Sequence, residues 1–492
     1  MMSLGQREDT TTISTLTDNV LVDIFDLCRK RDEQSPYLVW PWKLLVHVCR
    51  RWRQVIFTYP RRLDLRLLCT YRTPVRRHLG IWPAIPIVIQ YGNGIGSASE
   101  DNVVAALEQA DRVCRIRLAI PKSLLGKIFA LMQQPFPMLT HLSITSEFGN
   151  VSPLPDGFLG GSAPSLQEFH LFGFPFPALP TLLLSAGNLV NLSLRKIPLT
   201  GFISPEAMVS HLAASPKLKI LYIEFDVVTS LPDRTLSPPI SRIVLPALRN
   251  FTFIGACNYL EDFISRVDTP QLKSIVICYS WSWDSNFDVP QLSNFINRSE
   301  GLRRSLSRHC KIKVDEDRDI INFCVGRATS ERWDPKAGIS VYLGEGIDGQ
   351  IPHLTTIVSY IFHILSDVVH CTIDSVLLMS DFASSSDQEE EDQAERDDLD
   401  WLQLLRQLPT LQSLFVSDNI AGVISRALER TDREKVTEML PALKLLCLEG
   451  LIESLEGPFM SSIEKFIALR RRSGYPVTYV ETREEFEERL TS

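Results

Sequence analysis

The chain has 492 residues, more than one ordinary hydrophobic core holds, so we expect several domains or one elongated array. Hydrophobic residues make up 45% of it and charged residues 22%, as in folded soluble proteins, and no stretch is apolar enough for a secretory signal or a transmembrane helix. The formal net charge of −8 excludes a protein that is basic throughout, and we expect no membrane association.

The first predicted helix follows an N-terminus, residues 1–13, that we expect to be disordered. It runs from Leu16 to Cys28, with Thr17 as the N-cap and Asp18 in the first turn, where an acidic side chain favours the helix dipole. Its apolar residues recur at helical spacing and predict a single apolar stripe formed by Val20, Leu21, Ile24, Phe25 and Cys28.

A second helix is predicted from Pro41 to Ile56, ending before Tyr59-Pro60, because the residue before a proline avoids the helical region. Its apolar face comprises Leu44, Leu45, Val48, Cys49, Trp52, Val55 and Ile56. Two short helices with such narrow stripes bury little surface alone, so we expect them to need a partner.

The segment that contains this second helix is strongly basic. Between residues 40 and 80 there are ten lysines and arginines and one acid, Asp64, so the segment has a formal charge of +9 and the remainder −17. Such a block could face nucleic acid, an anionic membrane or an acidic protein.

Beyond residue 80 a pattern recurs, Pro-x-Leu-x-x-Φ-x-Φ, in which Φ is a large apolar residue. Its copies begin at Pro137, Pro164, Pro216, Pro246, Pro270, Pro409 and Pro441, and two copies without proline begin at Val113 and Leu189. From residue 113 to 272 the first apolar positions lie 26, 27, 23, 29, 30 and 24 residues apart. These intervals fit one strand and one helix or irregular return per repeat.

The Φ-x-Φ element places two apolar residues on one face of a strand and their neighbours on the other. Stacked repeats are therefore predicted to form a parallel sheet over a shared core, with segments such as Pro205–Ala214 and Leu182–Ser185 closing each repeat. Between residues 278 and 408 the pattern nearly vanishes, and we expect insertions there. Weaker strand candidates in that stretch are Ile339/Val341/Leu343 and Ile373/Val376/Leu378.

The last part of the chain begins with an acidic run, residues 384–400, which holds nine acids and one arginine. A run of this composition cannot bury apolar surface and predicts a solvated, disordered loop. Order is expected to return with a helix from Phe459 to Arg472, capped by Gly474, and a final strand at Pro476–Val480.

The ten cysteines are scattered and form no C-x-x-C pair. Most lie in apolar runs, where a free cysteine behaves as a small hydrophobe. This usage favours a reducing compartment, and we expect a cytoplasmic or nuclear protein.

The two predicted helices resemble the F-box. The resemblance rests on Leu16-Thr17-x-x-Val20-Leu21-x-x-Ile24-Phe25, followed by Leu45-x-x-Val48-Cys49-Arg50-Arg51-Trp52-Arg53-x-Val55. The segment Pro60–Leu65 is similar to the version common among fungal F-box-like proteins, which often carry irregular leucine-rich repeats. The chain has Thr17 and Asn19 where the F-box motif has proline and glutamate.

The resemblance implies a mixed α/β protein: an all-α F-box-like domain at residues 14–68, followed at 69–492 by an irregular leucine-rich-repeat solenoid, or horseshoe. Such a protein docks on the small adaptor subunit of a cullin–RING ubiquitin ligase and holds a protein substrate on its repeats. The positions that match the docking motif are Leu16, Thr17, Val20, Ile24, Leu45, Val48, Cys49 and Trp52.

Other functions are less favoured by the sequence. A ligase-independent scaffold and a nucleic-acid-associated repeat protein that uses the basic segment stay open as alternatives. The glycine-rich segment at Gly92, Gly94 and Gly96 departs from the dinucleotide-binding spacing, and the histidines show no zinc-ligand pattern. We therefore expect no catalytic residues, no cofactor and no metal.

Overall fold

The computed structural model describes residues 15–32, 45–58, 64–82, 84–92, 98–146, 153–175, 179–198, 203–226, 242–280, 290–305, 309–315, 320–329, 332–344, 375–380, 408–429, 439–449 and 458–491, with single positions at 201, 402, 405 and 406. These residues form two compact units, Met1–Leu171 and Phe172–Ser492. The expected disordered N-terminus, 1–13, and the acidic run at 384–400 lie outside the described residues.

Among the described residues, the first two helices of the first unit are α1 (Asp18–Asp32) and α2 (Arg50–Thr58). The predicted first helix is confirmed. The prediction of one continuous second helix from Pro41 to Ile56 is wrong, because a turn interrupts it, and residues 41–44 lie outside the described residues. The chain turns at 46–48, and the helix begins only at Arg50. Side-chain bonds hold this turn: Arg53 Nε donates to the carbonyl of Val46 at 3.0 Å, and the Trp52 amide contacts Cys49 Sγ at 3.5 Å, near the helix start.

The rest of the first unit alternates strands and helices. In chain order these are β1 (Leu65–Leu68), α3 (Val75–Ile81), β2 (Ile87–Tyr91), α4 (Glu100–Leu107), β3 (Val113–Ile120), α5 (Lys122–Leu131), β4 (His141–Ser146), a 3-10 turn (Phe158–Gly161) and β5 (Glu168–Phe172). Strands β1 to β4 pair in parallel with their sequence neighbours, and β5 follows β4 in the sheet. Parallel strands cannot be connected by a short turn, so the helices form the crossover connections between them.

The core of this unit lies on one face of its strands. The register aligns Ile89, Ile116 and Leu142, each at most 2% exposed, so the first Φ residues of two successive motifs, Ile116 and Leu142, stack on one another and on Ile89 of the preceding strand. At the end of β2 the backbone of Gly92 has a φ of +78°, and a Cβ there would lie 2.5 Å from the carbonyl oxygen of Ala119. Only glycine fits this turn, which leads from β2 towards the next helix.

The second unit continues the alternation. Its elements are α6 (Leu179–Ser185), β6 (Asn191–Ile197), α7 (Pro205–Leu212), β7 (Ile220–Phe225), β8 (Ile243–Val244), β9 (Asn250–Gly255), α8 (Cys257–Ser265), β10 (Val267–Asp268), β11 (Ser274–Ser280), α9 (Pro290–Arg298), α10 (Glu300–Ser305), β12 (His309–Asp315), β13 (Ile320–Thr329), β14 (Arg332–Gly344), β15 (Ser375–Ser380), β16 (Ser413–Val416), α11 (Asp418–Glu429), β17 (Leu445–Leu448), α12 (Pro458–Arg472), β18 (Thr478–Val480) and α13 (Arg483–Thr491).

The main sheet of the second unit has the strand order β6-β7-β9-β11-β14-β13-β12-β15-β16-β17-β18, and β8 pairs separately with β10. Neighbouring strands run parallel from β6 to β11 and from β15 to β18. Between them β12, β13 and β14 form an antiparallel meander, with β14 beside β11 and β12 beside β15. The repeat pattern was expected to lapse in this stretch. The weak strand candidate Ile339/Val341/Leu343 is part of β14, and Val376 and Leu378 of the second candidate are part of β15, whereas Ile373 lies outside the described residues.

Buried polar side chains tie consecutive repeats together. The carboxylate of Glu261, 2% exposed, accepts hydrogen bonds from the amides of Gln291 and Leu292 in the first turn of α9, at 2.7 and 3.1 Å. Arg470 of α12 is fully buried and donates to the carbonyls of Met439 and Leu443 at 3.1 and 3.2 Å. Each charge satisfies backbone groups of the neighbouring repeat that would otherwise lose hydrogen bonds on burial.

Burial confirms the prediction that the Φ residues of the repeats face the core. Five of them, taken from both units, are at most 1% exposed: Leu142, Leu171, Leu194, Phe253 and Ile277. The predicted C-terminal helix is also confirmed as α12, with Gly474 at a φ of +86° just beyond it, and the final strand as β18. Helix α13, after that strand, was not predicted.

The architecture is therefore mixed α/β, with helices and a large, mainly parallel sheet. In the part of the chain that the structure describes, no helix is both long and apolar enough to cross a membrane. The same residues contain no group of three or more His, Cys, Asp or Glu side chains placed to hold a metal ion.

Candidate functional site

Helix α1 carries two apolar stripes where the sequence predicted one. The inner stripe, Leu21, Val22 and Phe25, is at most 6% exposed and faces the interior. A second stripe runs along the helix at spacings of four and three residues and consists of Leu16, just before the helix, with Val20, Ile24 and Leu27. Val20 is 42% exposed and Leu27 66%, while Leu16 and Ile24 are half-buried. This second set is here called the outer stripe.

The segment before α2 contributes further exposed residues. Val48 is 58% exposed and Cys49 is exposed, because both lie in the turn that precedes the helix. Leu45 is half-buried at the start of the same turn, and the neighbouring Val46 is buried at 3%. The turn therefore buries Val46, which the stripe prediction had omitted, and leaves Val48 in solvent.

Trp52 and Arg51 join α1 to α2. The indole ring of Trp52 packs edge-on against Phe25 with ring centroids 5.3 Å apart, so this side chain contributes to the interior. The guanidinium of Arg51 pairs with Asp18 at 2.7 Å and donates to the carbonyl of Leu16. These contacts fix the start of α1 against α2 and thereby position the outer stripe.

The eight residues predicted to bind the ligase adaptor thus divide by exposure. Thr17, Val20, Val48 and Cys49 are exposed, whereas Leu16, Ile24, Leu45 and Trp52 are half-buried. Leu27 was missed, although it lies three residues after Ile24 and its helical spacing to Val20 could have identified it. Whether these residues bind the adaptor stays a prediction.

The sheet of the first unit presents a second, polar surface on the strand positions that alternate with the core. The register places Arg115 beside His141, and Arg117 beside Ser143. On the next strand the carboxylate of Glu168 lies between two imidazoles, 3.4 Å from His141 Nε2 and 3.7 Å from His170 Nε2. This surface combines the exposed guanidinium of Arg117 with half-buried hydrogen-bonding groups, a composition found at surfaces that bind other proteins.

The corresponding face of the second unit centres on Tyr222. The guanidinium carbon of Arg195 lies 4.1 Å from the ring centroid, and the tyrosine hydroxyl donates to Glu224 at 3.2 Å. Burial raises the pKa of the Tyr222 hydroxyl to about 12, and the nearby carboxylate of Glu224 adds to the shift. The hydroxyl therefore stays protonated and acts as a hydrogen-bond donor.

The register between β6 and β7 shifts near Tyr222, at the position of a lysine. Lys196 has a φ of +51° where the register of β6 and β7 changes, and its amine lies 3.8 Å from Glu224 and 3.7 Å from Asp226. Residues other than glycine seldom adopt this backbone conformation. Register shifts and strained backbone of this kind cluster next to functional sites, because they redirect a side chain.

Several arginines of the basic segment are engaged within the protein. Besides Arg51 and Arg53, Arg66 pairs with Asp64 at 3.7 Å and Arg76 pairs with Glu108 at 3.4 Å. Three of these cations, Arg51, Arg66 and Arg76, pair with carboxylates inside the first unit, which reduces the positive charge that the segment offers to phosphates.

No protein-family model matches the chain, and no curated protein matches it either.

Proposed function

We propose that the protein is the substrate-recognition adaptor of an F-box-type cullin–RING ubiquitin ligase, with the helices of residues 14–68 docking on the ligase's small adaptor subunit. The observation that carries this proposal is the outer stripe of α1. Leu16, Val20 and Ile24 occupy apolar positions of the motif, and the helix leaves Val20 and Leu27 in solvent while burying Leu21 and Phe25 beneath them. An apolar row exposed beside a filled interior is typical of a surface that a partner covers.

The repeats support the second half of the proposal, binding of a protein substrate. Strands recur every 23 to 30 residues with their apolar residues stacked in register, and this regularity supports the proposal of an irregular leucine-rich-repeat solenoid. Within each unit the strands display polar residues on the face away from the core: Arg117 and His170 in the first unit, and Tyr222 in the second. Arginine and tyrosine are enriched where proteins bind one another.

A ligase-independent scaffold is the second candidate. It would use the same repeat surfaces, and its N-terminal helices would serve only as a cap on the first repeat. The nucleic-acid alternative is less favoured, because four arginines of the basic segment make contacts within the protein.

The test is a charge placed on the outer stripe. Val20→Asp leaves the isolated protein folded, because Val20 is already 42% exposed. In the complex the new carboxylate would be buried against apolar groups without a partner, at a cost of about 3–5 kcal/mol, enough to abolish co-purification with the adaptor subunit. Gln54→Glu adds the same charge at an exposed position of α2 outside the stripe and serves as the control.

Loss of the adaptor with Val20→Asp and normal recovery with Gln54→Glu would support the ligase role. Equal recovery of the adaptor with both variants would overturn docking through α1. Failure of the wild-type chain to bind the adaptor, together with co-purification of other proteins, would favour the scaffold.

A further inference from the structure

The start of helix α1 is held by a side chain of another helix. Thr17 was expected to cap α1, but among the described residues its hydroxyl has no hydrogen-bond partner, and its carbonyl accepts from the Leu21 amide at 3.1 Å. Instead, the guanidinium of Arg51, in the first turn of α2, binds here. It donates twice to one carboxylate oxygen of Asp18, from Nε at 3.2 Å and from Nη2 at 2.7 Å, and Nη2 also donates to the carbonyl of Leu16.

These contacts lie at the two ends of a short segment, residues 16–18, here called the entry segment. The carbonyl of Leu16 lies before the helix, whereas Asp18 is the first residue of α1. One guanidinium therefore joins the last residue but one before the helix to the first residue within it. Such a contact restricts the backbone between its two ends, at Thr17, because both ends are bound to the same rigid group.

Arg51 contributes more to the order of the entry segment than to the stability of the fold. Its side chain is 41% exposed and that of Asp18 57%, and ion pairs as exposed as this one add little to the free energy of unfolding. The interior between the two helices depends instead on Trp52, which packs edge-on against Phe25. This packing also fixes the helix that carries Arg51, the residue next to Trp52.

The entry segment is also where the chain departs from the F-box motif. Thr17 stands at the proline of the motif, and Asn19 at its glutamate. A proline at position 17 would fix the backbone torsion φ of that residue and so restrict the segment before any partner binds. Threonine leaves φ free, and the bonds of Arg51 impose order from outside the segment.

We propose that Arg51 is a positioning residue for docking on the ligase adaptor, and that in this chain it replaces the ordering that a proline at position 17 supplies. It acts through Leu16 and Thr17, two of the residues that match the docking motif, by holding their backbone in place before binding. The inference rests on the proposed function. Ordering the backbone of one residue costs on the order of a factor of ten in an equilibrium constant, so the loss of this hold is measurable as affinity.

The experiment is a double-mutant cycle of Arg51→Met and Thr17→Pro in the full chain, with the affinity for the purified adaptor subunit as the readout. We expect Arg51→Met to weaken binding about tenfold, because the entry segment must then be ordered on docking. Adding Thr17→Pro should return the affinity to within about threefold of wild type, because proline restricts the unbound segment. Thr17→Pro alone should change the affinity less than about twofold, since Arg51 already orders the segment.

Hydrogen exchange reports the order of the entry segment without the adaptor. The Leu21 amide is the reporter, because its acceptor is the carbonyl of Thr17. In Arg51→Met we expect this amide to exchange about threefold faster or more, and the Phe25 amide, in the middle of α1, to keep its wild-type rate. Arg77→Met removes the same charge from an exposed position of α3 and is the control, with both rates and the affinity unchanged.

The Phe25 amide detects damage to the helix pair as a whole. If it too exchanges faster in Arg51→Met, the milder Asp18→Asn takes the place of that variant in the cycle. It removes the ion pair and leaves the bond from Arg51 to the carbonyl of Leu16 in place. The expected changes have the same direction and are smaller.

Two results would overturn the positioning role and leave the ligase role intact. One is wild-type affinity in Arg51→Met. The other is an equal effect of Thr17→Pro with and without Arg51, which would show that the arginine acts on the adaptor directly. If the wild-type chain does not bind the adaptor, the proposed function fails and the docking role of Arg51 fails with it. Faster exchange of Leu21 in Arg51→Met would then show that the contact orders the segment and that the error lies in the ligase role.

Discussion

The two ends of the sheet in the second unit share one register and differ in what covers the face away from the core. Around β9 and β11 this face carries Thr252 and Val276, half-exposed to solvent. Around β16 and β17 it carries Phe415 and Cys447, both fully buried under α13. The core-facing residues are alike at both ends. The comparison indicates that the core-facing residues of the strands stabilise the sheet at both ends. The residues on the face away from the core instead differ according to whether solvent or a helix covers them.

The largest difference in stability between the two ends is expected when a residue beneath α13, on the face away from the core, is truncated. Phe415→Ala leaves a cavity as large as one in the core, and we expect it to reduce the free energy of unfolding by about 3–5 kcal/mol. Thr252→Ala, on the same face at the open end, should change it by about 0.5 kcal/mol or less. Denaturant unfolding measures both, and equal small effects would contradict the burial of Phe415.

The inner face provides the reference for this comparison. Leu194→Ala removes a side chain that is fully buried in β6, and we expect a loss of about 2–5 kcal/mol in the free energy of unfolding. Asn191→Ala, at a half-exposed position of the same strand, is the control and should be near neutral, within about 0.5 kcal/mol. A near-neutral Leu194→Ala would contradict the stacking of apolar residues in register.

Alkaline pH should weaken the end of the sheet that lies under α13, through the buried thiol of Cys447. The folded-state pKa of Cys447, about 12, lies above the ordinary value of 9.0, so the thiol contributes stability below pH 9 that is lost as the pH rises towards 12. We expect the free energy of unfolding to fall between pH 9 and 10, and to fall less in Cys447→Ala. Cys69, whose burial likewise raises its pKa to about 12, remains in both proteins and contributes the same slope to each. Identical slopes would show that Cys447 does not contribute to the pH dependence.

The smallest effect on stability is expected at an open outer position of the first unit. Arg117→Glu reverses an exposed charge beside Ser143, and the free energy of unfolding should change by about 0.5 kcal/mol or less. Proteins that co-purify with the wild-type chain through this surface should nevertheless be lost, because a reversed charge on a contact surface opposes its partner. Unchanged co-purification would place the substrate surface elsewhere.

The candidate docking surface was only partly predictable from the sequence. Helical spacing identified α1 and its apolar residues, but the spacing alone assigned Val20 and Phe25 to one stripe. Packing of Trp52 against Phe25 drew one set of side chains inward and left the other in solvent. That division depends on contacts between residues far apart in the chain, which no local pattern encodes.

By itself, the sequence determined the repeating strands. The Pro-x-Leu-x-x-Φ-x-Φ pattern placed Leu142, Phe253 and Ile277 on the core side, because alternation along a strand follows from backbone geometry alone. The end of helix α12 was likewise local, since Gly474 adopts a positive φ that few other residues tolerate.

Only the tertiary structure decided what lies on the other face of those strands. The antiparallel pairing of β12 to β14, the start of α2 at Arg50 and the position of α13 over Phe415 were not apparent from the pattern. A largely charged segment such as REEFEERLT gives little indication of where it packs, because two apolar residues define an amphipathic helix but not its partner. The partner is set by strand register across the sheet, and register is fixed only when distant segments of the chain pack together.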